Sequence, residues 1–347
     1  MELHGEPALV LGDNASGKTN LIEAVVLLSL GRSFRAARDA ELLRRGAGGY
    51  ELRATVGSRF GGAMQIEARG AARGGREILV NGQPLERLTD LLGQFPTIHF
   101  SVDDVTVLNS GPAARRRFLD VALCQLEPAY VAALREYAAA LRQRNRLLVT
   151  RGPAEDPELD AWEEILARSG LELDRRRAGL VAELARLLDG LAAEVDAELR
   201  PRFRYPDVEG RDGSGGSVPA RMERLHADRA RDRRIGWTGE GPHRARPECR
   251  IAGEELAGGA SRGYTRLFSI LLRLALARVF EERRGEPPVV LLDDPESELD
   301  GRWIGRLLRL VPESSQVIVT ACRELTDLPA RFRRIPIESL AAAGAAA

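Results

Sequence analysis

Residues 12–19 read Gly12-Asp13-Asn14-Ala15-Ser16-Gly17-Lys18-Thr19. This is G-x-x-x-x-G-K-[ST], a loop whose backbone N–H groups and following helix N-terminus form a cradle for phosphate. Upstream, Ala8-Leu9-Val10-Leu11 has the apolar run of a short buried strand. Downstream, Asn20-Leu21-Ile22-Glu23-Ala24-Val25-Val26-Leu27-Leu28 reads as a mostly apolar helix. Strand, glycine loop and helix in that order predict an α/β fold of the phosphate-loop class. Gly12, Asp13, Asn14, Ala15, Ser16, Gly17, Lys18, Thr19 and Asn20 are then the candidate contacts to a nucleotide. Lys18 would neutralise its β and γ phosphates and the Thr19 hydroxyl would ligate Mg2+.

Lys18 stands out in another way. Of the 51 basic residues it is the single lysine, and the other 50 are arginine. Base composition of the genome accounts for most of that arginine. A position that keeps lysine is one where a compact ammonium fits and a wide planar guanidinium does not.

The wider composition bounds the problem. A chain of 347 residues, 44% hydrophobic and 29% charged, folds around a substantial core. No apolar run approaches the roughly 20 residues of a membrane span. Residues 1–7 show no secretory pattern, and Cys124, Cys249 and Cys322 fit no metal-ligand spacing. A cytoplasmic protein with reduced thiols is expected. Net charge is zero, so a nucleic-acid surface would require arginine gathered on one face.

Pro287-Pro288-Val289-Val290-Leu291-Leu292-Asp293-Asp294 is an apolar strand ending in two carboxylates, the Walker B pattern of a phosphate-loop enzyme. Asp293 would hold Mg2+ and Asp294 would act as general base toward the attacking water. Pro295-Glu296-Ser297-Glu298-Leu299-Asp300 resembles the D-loop of ABC-type ATPases. Ala260-Ser261-Arg262-Gly263-Tyr264, opening a helix over 262–282, resembles their signature motif, with Ser261 as N-cap. In an ABC dimer Ser261, Arg262 and Gly263 would cap the γ-phosphate held by a second copy, though Ser261 also reads simply as a helix cap. Ser315–Ala321 forms another apolar strand, with Thr320 standing near the family's switch position.

Between Asn20 and Ser261 lie about 240 residues. Residues 119–149 have helical periodicity. Residues 151–157 are a Gly/Pro-broken turn, and residues 162–199 place leucines every three or four positions. At 1.5 Å per residue the second helix would run on the order of 60 Å, either a short antiparallel arm or part of a plain helical bundle. Gly210–Ser217 is a flexible loop. Nine arginines against five carboxylates over 221–250, with Arg115-Arg116-Arg117 and Arg175-Arg176-Arg177, are candidates for phosphate contact or for solvated helix faces.

Several stretches resemble the RecF family in sequence. They are Gly31-Arg32-Ser33-Phe34-Arg35, residues 100–112, Arg115–Asp120, Gln125–Tyr130, Leu141–Leu148 and Gly241-Pro242-His243-Arg244. The resemblance spans residues 9–320. It implies an ABC-type P-loop ATPase head with an inserted short antiparallel helical arm. The implied segments are residues 1–110 for the first part of the head, 111–205 for the arm and 206–347 for the second part. It further implies ATP and Mg2+ as cofactors, an ATP-dependent homodimer and DNA binding at single-strand gaps. Slow hydrolysis and RecA loading with RecR- and RecO-type mediators follow in the same way. The sequence departs from the family pattern in four places. The first strand ahead of the phosphate loop is lacking, so either the start is misassigned or a sheet edge and part of the adenine pocket are absent. Tyr264 replaces the signature glutamine, Ala245-Arg246 replace acidic residues, and Pro295-Glu296 replace smaller or apolar ones. The alternatives are a degenerate ABC-type ATP-binding scaffold without significant hydrolysis, another ATPase of the superfamily and a transporter ATPase. The last would carry a Leu-Ser-Gly-Gly-Gln signature and a smaller insertion.

Overall fold

The computed structural model describes residues 5–36, 38–44, 46–58, 60–71, 75–100, 110–150, 157–206, 216–297, 301–325 and 328–339. The 101–109 stretch of the arm motif, the 151–156 turn, most of the 210–217 loop and the 298–300 end of the D-loop lie outside these residues. By packing the chain divides into two units, Met1–Val105 with Ser269–Ala347, and Thr106–Phe268. The division falls within one helix, Arg262–Arg284.

The first unit is α/β. Among the described residues its main sheet has five parallel strands. They are β1 (Ala8–Leu11), β6 (Thr97–Phe100), β10 (Val289–Asp293), β11 (Val317–Ala321) and β12 (Arg333–Pro336), in the order β12-β1-β11-β10-β6. Buried almost throughout, β1 is a continuous apolar run and β11 is apolar at all positions but Thr320, as a covered parallel sheet demands. A smaller antiparallel sheet is made by β2 (Gly49–Gly57), β3 (Ala63–Ala71), β4 (Arg76–Val80) and β5 (Gln83–Pro84). Helix α1 (Lys18–Leu30) serves both sheets. Ile22 and Val26 pack with Val10, Leu291 and Ile318 of the main sheet, while Leu27 and Leu28 pack with Ile66, Ala68 and Ile78 of the smaller one. A helix that buries two faces must be apolar nearly all round, which is why its sequence shows no amphipathic stripe. Gly31, at φ +66°, ends it in the left-handed cap that favours glycine.

The second unit is mainly helical: α2 (Pro112–Leu126), α3 (Pro128–Thr150), α4 (Pro157–Val195) and α5 (Val218–Ile235). The periodic stretch read as one helix over 119–149 breaks at Glu127, because Pro128 favours a helix start and disfavours a helical residue before it. Ion pairs and hydrogen bonds join Glu127 to Arg176, Glu136 to Arg168 and Arg144 to Glu163. Partner numbers fall as the others rise, so α3 and α4 form an antiparallel hairpin. A short sheet of β7 (Arg202–Arg204), β8 (Glu248–Ile251) and β9 (Glu254–Glu255) completes this unit. The sequence boundary at 205/206 assigns residues 206–268 to the second part of the head, whereas packing joins them to the helices. The joint is a buried polar network that no local pattern announces.

That network centres on Arg144, which has no solvent exposure. It donates to Glu163 Oε1 (2.9 Å), Asp232 Oδ2 (2.8 Å), Thr238 Oγ1 (2.7 Å) and the Leu225 carbonyl (3.2 Å). Asn145 Oδ1 accepts both the backbone N–H and the hydroxyl of Thr238. Buried Arg177 forks onto both oxygens of Asp120 and donates to the Pro242 carbonyl. Arg115 is buried on the Pro247 carbonyl, Arg116 donates to the Ala245 carbonyl, and Arg176 pairs with Glu127 and Glu172. Within α5, Arg221, Arg229 and Arg231 pair with Asp174, Glu163 and Asp228. Arg115, Arg116, Arg176, Arg177 and several arginines of the 221–250 stretch are thus engaged inside the unit, while Arg117 is exposed. Satisfied, such groups stabilise one arrangement of the helices, and desolvation makes each costly to unpair.

His243 belongs to the same network. Its Nε2 lies 3.1 Å from the Thr238 carbonyl and its Nδ1 2.6 Å from the Tyr137 hydroxyl. The neutral ring with the proton on Nε2 satisfies both. Burial holds its pKa below the ordinary value, and Arg244, Arg116 and Arg144 act in the same direction. The unfolded chain therefore binds a proton first as pH falls below about 6.5. Its contribution to stability is complete above that pH and is lost down to the folded pKa. Melting followed by circular dichroism should show a drop across this window that is smaller in His243→Gln. An equal drop in both proteins would show that the ring does not report pH.

Candidate functional site

The phosphate loop leaves the C-terminal end of β1 and returns as α1. Gly12 is needed for close packing: a Cβ there would lie 2.4 Å from Ile337 Cγ2 and 2.8 Å from Ser16 Oγ. Gly17 precedes the helix at φ +101°, where an L side chain is strained. The parallel pairing of β1 with β11, and of β11 with β10, sets the loop beside the two Walker B carboxylates.

Lys18 is buried, 3% exposed. Its Nζ donates to the carbonyls of Gly12 (2.9 Å) and Asp13 (3.0 Å) and lies 3.7 Å from Asp294 Oδ1. Thr19 Oγ1 is 3.3 Å from Asp293 Oδ1. Residues from opposite ends of the chain are thus gathered at one end of the sheet. Asp13, Asn14, Ala15, Ser16 and Asn20 lie exposed on the loop and the first turn of α1. Burial raises the pKa of Asp294, opposed by Lys18 and reinforced by the nearby Asp293 and Glu296 carboxylates. Thr19 and Asp293 supply adjacent oxygen donors, the ligand type that a hard divalent cation takes. Their chemistry therefore fits Mg2+.

Ser261 caps helix α6 (Arg262–Arg284): its Oγ accepts the Tyr264 N–H at 3.2 Å. Ser261, Arg262, Gly263 and Tyr264 are all solvent-exposed. They belong to the helical unit, whereas the loop and both carboxylates belong to the α/β unit.

Two residues of the site escaped the sequence reading. Cys322, taken there only as a reduced thiol, has its Sγ 3.2 Å from Lys18 Nζ and 2.8 Å from Asn14 Oδ1. Glu296 Oε1 accepts the Cys322 N–H at 2.6 Å. The only local signal for Cys322 is its place just beyond the end of β11. Thr320, read as a switch candidate, is fully buried and turned onto the Walker B residues instead.

Residues 1–329 match the family described as RecF/RecN/SMC N terminal domain. A DNA replication and repair protein RecF from Synechococcus sp. (strain JA-3-3Ab) is 36% identical over 323 residues, 90% of this chain and 84% of that protein. A solved structure of the recombination mediator protein RecF-ATP superposes with a TM-score of 0.84 at 29% identity, covering 96% of this chain and 90% of the other. An Smc head structure shares the fold at a TM-score of 0.50 and 15% identity, covering 93% of this chain and 84% of the other. With its phosphate-loop sheet, its inserted helical hairpin and these matches, the chain belongs to the RecF family and has the ABC-type ATPase head fold.

Proposed function

We propose that this protein binds ATP with Mg2+ and closes into a homodimer on it. In that form it grips DNA at single-strand gaps, working in the cytoplasm with RecR- and RecO-type mediators to load a RecA-type recombinase. Slow hydrolysis releases the dimer. The observation that carries this reading is the convergence of Lys18, Thr19, Asp293 and Asp294 at the phosphate loop. Lys18 would exchange its carbonyl partners for the β and γ phosphates, a charge-assisted gain. Thr19 and Asp293 would hold Mg2+, which supplies charge neutralisation to the phosphates. Asp294, with its raised pKa, would orient the attacking water and take its proton. Ser261, Arg262 and Gly263, exposed at the start of α6, would meet the nucleotide held by a second copy.

Light scattering with ATP, with ADP and with a gapped duplex tests these steps together. Dimer is expected with ATP and not with ADP, and the gapped duplex should join the ATP form with an affinity that falls steeply with salt. Equal dimer fractions with the two nucleotides would remove the clamp. The rival reading, a scaffold that binds ATP without significant turnover, draws on Tyr264, exposed where the family has glutamine. Its mark would be an ATP dimer with no phosphate release.

A further inference from the structure

Strand β11 is buried throughout, and every other residue in it is apolar. Thr320 has no exposure at all. A hydroxyl in that setting is costly unless it is bonded, and valine of the same shape would suit the strand better. The hydroxyl is fully used. Its Oγ1 donates to Asp293 Oδ1 at 2.8 Å and accepts the backbone N–H of Asp294 at 3.0 Å. The Leu292 carbonyl, at 3.5 Å, is too far to compete for the proton. Register brings this about, since Thr320 is the β11 partner of Asp293.

The two bonds do different things. Asp293 Oδ1 lies within reach of two hydroxyls, Thr320 on one strand and Thr19 on the phosphate loop. Its carboxylate is thereby fixed in orientation before any cation arrives. Asp294 adopts φ +42°, a backbone conformation uncommon outside glycine. The chain is held there by Thr320 Oγ1 on its N–H, and by the Ser297 N–H and hydroxyl on its carbonyl. In this conformation Asp294 presents Oδ1 toward Lys18.

We infer that Thr320 is the positioning residue of the nucleotide site, one hydroxyl that aligns the cation-binding Asp293 and the water-orienting Asp294 together. The inference rests on the reading of Asp293 and Asp294 given above. It assigns Thr320 no contact with nucleotide. Thr320→Val keeps the shape and deletes the hydroxyl, whereas Thr320→Ser keeps the hydroxyl and deletes the methyl group.

The test compares both variants with wild type and with Asp294→Asn by three readouts. These are ATP turnover, the Mg2+ concentration needed for tight nucleotide binding, and hydrogen exchange at the Asp294 amide. In Thr320→Val, turnover should fall and the Mg2+ requirement rise by about 10- to 100-fold, the usual loss when the group orienting a ligand is removed. Nucleotide affinity without Mg2+ should stay at the wild-type value. The Asp294 amide, stripped of its acceptor, should exchange faster. Thr320→Ser should stay near wild type on all three. The inference is overturned if Thr320→Val matches wild type in Mg2+ requirement and amide exchange, or if Thr320→Ser fails as badly as Thr320→Val, because packing would then be the agent. Should Asp294→Asn turn over ATP like wild type, the role given to Asp294 fails. Thr320 would still be judged by the Mg2+ titration and by amide exchange.

Discussion

Replacing Lys18 with arginine is expected to abolish ATP binding as thoroughly as replacing it with alanine. The ammonium sits in a slot of low exposure, within 2.9–3.2 Å of the Gly12 carbonyl, the Asp13 carbonyl and Cys322 Sγ. Guanidinium carries the same charge on a wide planar fork and cannot enter without pushing the loop open. Loss of one partner from a desolvated charged contact costs about 2–5 kcal/mol, or at least about 30-fold in affinity. Titration with a fluorescent ATP analogue would measure it. Nucleotide affinity surviving in Lys18→Arg would mean that the slot is not where phosphate binds. It would also leave the survival of one lysine among 50 arginines without a physical reason.

The second large effect concerns stability. Arg144→Met should destabilise the helical unit by about 3–5 kcal/mol, the cost of breaking a buried ion pair from one side. Glu163, fully buried, and Asp232, 1% exposed, would each lose a guanidinium partner, and Thr238 and the Leu225 carbonyl would lose a donor. In a unit of this size that corresponds to a melting point lowered by on the order of 10 °C. Exposed Arg175, which donates to the Gly216 carbonyl, is the control, and its alanine variant should melt within about 1 °C of wild type. Calorimetry on both variants decides the matter. If they melt alike, the Arg144 network does not hold the unit together.

The contrast between these two residues explains what could be read from the chain alone. The phosphate loop and the strand ending in Asp293-Asp294 are local patterns, in which a few adjacent residues carry the geometry. The strands at 8–11, 289–293 and 317–321 and the long helix over 157–195 announce themselves by runs or periods of apolar residues. Arg144 does not, because its meaning lies in Glu163 and Asp232, which are distant in sequence. In the triplets, Arg115, Arg116, Arg176 and Arg177 look like phosphate contacts until their carboxylate and carbonyl partners are known. The edge strand Arg333–Pro336 escaped for a different reason: only Ile335 of its four residues is buried, so it offers no apolar run. Cys322 and Glu296 were missed because one backbone N–H joins them, and such a bond has no signature in residue type.

The order of strands in the main sheet also bears on how the protein is made. Ala8–Leu11 leaves the ribosome about 300 residues ahead of both its sheet neighbours, 317–321 and 333–336. Until they follow, this apolar segment lacks both pairing partners, and closing so long a loop is slow. Nor can the nucleotide pocket form early, since Asp293 is synthesised 274 residues after Thr19. A fragment released before residue 317 would carry an intact glycine loop and still lack the strand that joins it to the carboxylates. Affinity for nucleotide thus serves as a certificate that synthesis has passed residue 321.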